Sequence, residues 1–151
     1  MKLAEALILR ADCQKRLAQV KYRLLLNAKV QEGDQPAEAP EALIAEFETV
    51  SGELLDLIKR INKTNSATSF AAGRTISDAI AERDVVALQR TAYSELAQSA
   101  AITQSRVTRS EVKYIATINV AEIQKRADDL AKTYRELDAR IQELNWQTEL
   151  I

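Results

Sequence analysis

The chain has 151 residues, 46% hydrophobic and 28% charged, the balance of a globular domain and not of a disordered segment. Its 21 basic and 22 acidic residues leave a formal charge of −1, so no global field draws it to nucleic acid or to an anionic membrane. It has no histidine, one cysteine and three glycines, which excludes the histidine-based catalytic and metal-binding constellations and leaves few residues for tight turns.

A chain of this length fits one domain, residues 1–151, with a substantial core. Aromatics at 5% leave Leu, Ile, Val and Ala to fill it, which suits helix-on-helix packing. The first segment, Lys2 to about Lys29, reads as one long helix. Leu3, Ala6, Arg10, Cys13, Leu17, Val20, Leu24 and Asn27 repeat in alternating steps of three and four, the spacing of a heptad seam. A second seam runs beside it through Ala4, Ile8, Ala11, Lys15, Ala18, Tyr22 and Leu25. Two neighbouring seams widen the apolar face, so this helix is expected to touch more than one other helix.

Val30 to Pro40 breaks the pattern. Gly33 and Asp34 favour a turn, and Pro36 and Pro40 hold the residues before them out of the helical region. Pro40 also suits a helical first turn, with Glu41 near its positive end. The second helix is predicted to run to about Lys63 on Leu43, Phe47, Val50, Leu54, Leu57 and Ile61, widened by Ile44, Leu55 and Ile58. The short connection implies an antiparallel helical hairpin.

Asn62 to Arg74 is polar and helix-poor and reads as a loop, with a small hairpin turning near Ala72-Gly73. Thr75 resembles an N-cap with Asp78 in a capping-box position. The third helix is predicted from about Ile76 to Ala101, with an apolar face of Ile80, Val85, Leu88, Ala92 and Leu96, helped by Tyr93. Val112 to Ile118 alternates and is rich in β-branched and aromatic residues, which predicts a short strand pairing with the stretch around Thr68 to Thr75. Asn119 with Glu122 forms a box that opens the last helix. Val120, Ile123, Ala127, Leu130, Tyr134, Leu137, Ile141 and Leu144 give it the cleanest heptad run in the chain.

The chemistry-bearing residues are few. Cys13 lies in a seam with no histidine to activate it, and a lone cysteine fits a reducing cytoplasm. No metal ligand set and no cofactor motif is present, and Gly33, Gly52 and Gly73 stand alone, unlike the clustered glycines of a phosphate loop. Arg74, Arg106, Arg109 and Lys113 form a candidate anion patch, with Lys59, Arg60 and Lys63 at the end of the second helix. The bland reading is helix-end charge and loop solubility. Arg10 and Asn27 occupy seam positions that otherwise favour apolar side chains, and such residues set register or oligomeric state. Trp146 is an apolar anchor after the last helix, folding back on the chain or docking on a neighbouring subunit. These three are the candidate assembly residues.

Several segments are similar to small bacterial proteins called septicolysin-like. They are Arg10-Ala11-Asp12 with Gln14-Lys15-Arg16-Leu17, Asn27 to Gly33, and Ile61 to Asn65. Further ones are Gly73-Arg74-Thr75, Arg109-Ser110-Glu111, Ala127 to Ala131, Tyr134 to Asp138 and Glu143 to Trp146. The resemblance implies a mostly helical fold, and the family's label implies a pore-forming cytolysin. No apolar stretch here approaches the roughly 18–20 residues that span a bilayer.

The sequence therefore predicts a mainly α protein. Long antiparallel helical hairpins form a four-helix, coiled-coil-like bundle, with a small β element near residues 68–75 and 112–118. Its expected role is that of a cytoplasmic, non-enzymatic homo-oligomer, because the doubled seams exceed what one hairpin covers. The alternatives are a membrane-active cytolysin, and nucleic-acid or anion binding through the basic loop segment.

Overall fold

The computed structural model describes residues 1–102 and 112–151. In chain order the elements are α1 (Leu3–Leu26), α2 (Pro40–Ala67), β1 (Ser69–Ala71), β2 (Arg74–Thr75), α3 (Ile76–Ala100) and α4 (Val120–Gln147). They divide into two compact units, one of Met1–Thr75 with Gln142–Ile151 and the other of Ile76–Ile141.

In the first unit α1 and α2 pack as an antiparallel hairpin. The primary seam of α1 is its core face, with Leu3, Ala6, Cys13 and Val20 buried. Leu43, Val50, Leu57 and Ile61 of α2 are buried as well. Arg16 Nη1 meets Glu53 Oε2 at 3.1 Å and Arg23 Nη1 meets Glu46 Oε2 at 3.3 Å. Seven residues along α1 thus match seven along α2, and these two pairs fix which residues lie level across the hairpin.

The return loop is tied down by side chains. Asn27 caps α1, donating from Nδ2 to the Arg23 carbonyl at 2.9 Å and accepting the Glu38 N–H on Oδ1 at 3.0 Å. Arg23 forms a fork on Glu38, with Nε 3.0 Å from Oε2 and Nη2 also bonded to Oε1. Glu38 is held below the ordinary carboxylate range, chiefly by that hydrogen bond. Gly33 adopts φ 90°, which only glycine takes without strain.

The chain ends meet in this same unit. The Leu3 N–H donates to the Thr148 carbonyl and the Leu150 N–H to the Met1 carbonyl, both at 2.9 Å. The Met1 ammonium and Lys2 Nζ both pair with Glu149, at 3.1 and 2.6 Å. Thr64, 1% exposed, accepts the Ile151 N–H on Oγ1 at 3.1 Å. Helix α2 runs one turn beyond the predicted Lys63, so much of the expected loop is helical. The Thr64 and Thr68 hydroxyls bond back to the Arg60 and Thr64 carbonyls at 2.8 Å, which satisfies polar side chains inside a helix end. The hairpin turning at Ala72-Gly73 is present, with β1 antiparallel to β2 and Gly73 at φ 72°.

In the second unit the start of α3 lies against the end of α4, where Arg83 Nη1 pairs with Asp138 Oδ1 at 2.8 Å. Asn119 caps α4 by accepting the Glu122 N–H at 3.1 Å, as its box predicts. Ala127, Leu137 and Ile141 of the α4 heptad are buried. The predicted face of α3 is not its packing face. Ile76, Ala79, Val86 and Ala97 are buried, whereas Val85, Leu88 and Leu96 are 53%, 71% and 40% exposed. The smaller side chains turn inward and the bulky stripe faces solvent. Residues 112–118 form no strand. Val112, Tyr114 and Ile115 are 90%, 83% and 78% exposed, and β1 pairs with β2 instead. A strand needs a partner for its backbone groups, and β propensity alone does not supply one.

Candidate functional site

A candidate interaction surface lies on one side of the α1–α2 hairpin. At 100° per residue, Ala11, Ala18, Tyr22 and Leu25 fall to one side of the α1 core seam, and Asp12 and Arg16 to the other. On α2, Ile44, Phe47, Ser51, Leu55 and Ile58 take the corresponding side, with Glu53 and Asp56 opposite. The polar side carries an open cavity of about 300 Å3 lined by Leu9, Asp12, Cys13, Arg16, Glu53 and Leu57. The other side is largely apolar and exposed, with Lys21 and Glu48 among its residues. Ile8 is 53% exposed, Tyr22 63%, Leu25 66%, Ile44 47% and Leu55 54%. The second seam predicted for α1 therefore exists, and of its residues only Ala4 is buried.

Of the candidate assembly residues, Arg10 lies half-buried on the α1 seam. Asn27 is buried, and both its amide groups are used inside the chain, so the register it sets is that of the hairpin. Trp146 sits in the last turn of α4 rather than after it and is 57% exposed, while Leu150 is the buried C-terminal anchor. Of the anion patch, Arg106 and Arg109 lie outside the described residues. Arg74 stands over the Phe70 ring at 5.2 Å, a cation–π arrangement. Lys113 is exposed.

Cys13 is buried and free. No group of three or more His, Cys, Asp or Glu among the described residues is placed to hold a metal ion. A second hollow of about 360 Å3 is lined, among the described residues, by Leu96, Ala100, Ile102, Tyr114 and Ile118 with others that carry no carboxylate or amine. No described helix is long and apolar enough to cross a membrane. Reading of the sequence missed the Arg23 fork on Glu38 and the pairing of the two chain ends. Neither has a local signal, since both depend on which segments the fold brings together.

The family of unknown function DUF6847 matches residues 10–150. The chain belongs to this family. A crystal structure of a functionally unknown conserved protein from Corynebacterium diphtheriae is similar to it, at 50% identity and a TM-score of 0.94. The match covers 100% of this chain and 99% of that one. No curated protein matches the chain. Membership of DUF6847 corrects the resemblance to septicolysin-like proteins and removes the label on which the cytolysin reading rested. Heptad-spaced Leu and Ala with Lys, Arg and Glu between them recur in unrelated long helices, so short runs of such residues carry little family information.

Proposed function

We propose that this protein is a non-enzymatic helical protein that acts by associating with copies of itself in the cytoplasm. The second α1 seam carries this reading. Ile8, Ala11, Ala18, Tyr22 and Leu25 keep a helical period over five turns, yet they face outward. A mostly apolar stripe of this length, interrupted at Lys15, on a folded chain is what an interaction surface looks like. The non-enzymatic reading draws support from the absence of histidine, which leaves the Cys13 thiol in its hollow with carboxylates but with no imidazole to activate it. The cytoplasmic reading draws support from the single, buried, free thiol of Cys13. Size-exclusion chromatography with light scattering tests the self-association. A mass at least twice that of the chain supports it, and a monomer that persists at high concentration overturns it.

A further inference from the structure

We infer that the apolar side of the α1–α2 hairpin pairs with the same side of a second copy about a two-fold axis along the hairpin. Helix α1 of each copy then seats on α2 of the other. The inference rests on the self-association proposed above and assigns it a surface and an arrangement.

The face is large enough. From Ile8 to Leu25 it is about 25 Å long, and two helices abreast make it about 20 Å wide. That flat footprint is about 500 Å2, and the accessible surface of a ridged helical face exceeds its footprint, so it approaches the ~800 Å2 a standard interface takes from each partner. The rival stripe of Val85, Leu88 and Leu96 on α3 is only one helix wide, which leaves a second copy less area to bury against it.

Charge and size then choose among the ways two hairpin faces can meet. Laying α1 on α1 sets Lys15 and Lys21 against the same lysines. Laying α1 on the partner's α2 sets lysine against glutamate. A two-fold axis along the hairpin preserves the levels fixed by Arg16–Glu53 and Arg23–Glu46. At those levels Lys21 meets Glu48 of the partner subunit, and both are exposed in the single chain. Tyr22 meets the partner's Phe47, Leu25 meets the partner's Ile44, and Ala11 meets the partner's Ile58. Ala18 meets the partner's Ser51, a small pair that lets the helices close up at the centre. Four helices then enclose one core, with every neighbour antiparallel.

The test uses the full-length chain. Lys21→Glu and Glu48→Lys each weaken the dimer roughly tenfold or more, and the two together restore it. Tyr22→Glu yields monomers of unchanged helicity by circular dichroism, whereas Leu88→Glu on α3 leaves the dimer intact. In a Cys13→Ser background, a short bismaleimide joins Ala18→Cys chains to Ser51→Cys chains when the two are mixed. Cross-linking of Ala18→Cys chains to one another, failure of the charge swap to restore the dimer, or dissociation by Leu88→Glu overturns the arrangement while self-association stands. A wild-type monomer overturns the proposed function itself.

Discussion

Asn27 Oδ1 accepts the backbone N–H of Glu38 at 3.0 Å, joining the last turn of α1 to the residue that Arg23 grips. One amide group therefore ends a helix and fixes the path of the loop that follows. Asn27→Ala leaves the Glu38 N–H without its partner and is expected to cost about 1–3 kcal/mol in urea unfolding. Because the amide is used within the chain, the same variant leaves the oligomeric state unchanged. A variant that dissociates without losing stability contradicts this role.

The ion pairs at the loop and at the chain ends predict a loss of stability in acid. Hydrogen bonds from Arg23 lower the pKa of Glu38, and those from Lys2 and the Met1 ammonium lower that of Glu149. A carboxylate with a lowered folded-state pKa adds stability above its unfolded value, and this is lost as pH falls through the folded one. Stability is therefore flat near neutrality and declines below about pH 4. Both groups are well exposed, so the effect is modest and shrinks in high salt. Glu38→Gln flattens part of the acid limb of a denaturation-versus-pH series, and an unchanged limb counts against the assignment.

Thr64 holds the C-terminus. Its buried hydroxyl donates to the Arg60 carbonyl and accepts from the Ile151 N–H. Thr64→Val keeps the shape and removes both bonds, at an expected cost of about 1–3 kcal/mol. Hydrogen exchange reads the consequence locally, with faster exchange of the Ile151 amide than in the parent chain.

Much of the fold was legible because heptads and caps act locally. The α1 core seam, the α2 run from Leu43 to Ile61, the Asn119 box and the turn at Gly73 all stand where their residues place them. Local signals misled where packing decides. In α3 both Val85-Leu88-Leu96 and Ile76-Ala79-Val86 keep helical spacing, and only the neighbouring helix settles which set turns inward. The Val112–Ile118 alternation reads as a strand, but the partner it needed is taken by β2. Of the candidate site, the second α1 seam was legible as a pattern. That it lies open, and that α2 extends it, required the fold.

The two kinds of apolar position differ in what truncation costs the folded chain. Ile61, 1% exposed, leaves a cavity when cut to alanine, so Ile61→Ala is expected to cost about 2–5 kcal/mol. Leu88, 71% exposed, has few neighbours to lose, and Leu88→Ala stays within about 0.5 kcal/mol. Chemical denaturation of both variants checks the contrast, and a large loss at Leu88 means that its stripe is covered in solution.

Sedimentation equilibrium of the wild-type chain beside Tyr22→Glu bears most directly on the exposed hairpin face. The account predicts twice the 16.8 kDa chain mass for the wild type and the single-chain mass for the variant. A wild-type chain that sediments at 16.8 kDa at every concentration contradicts it.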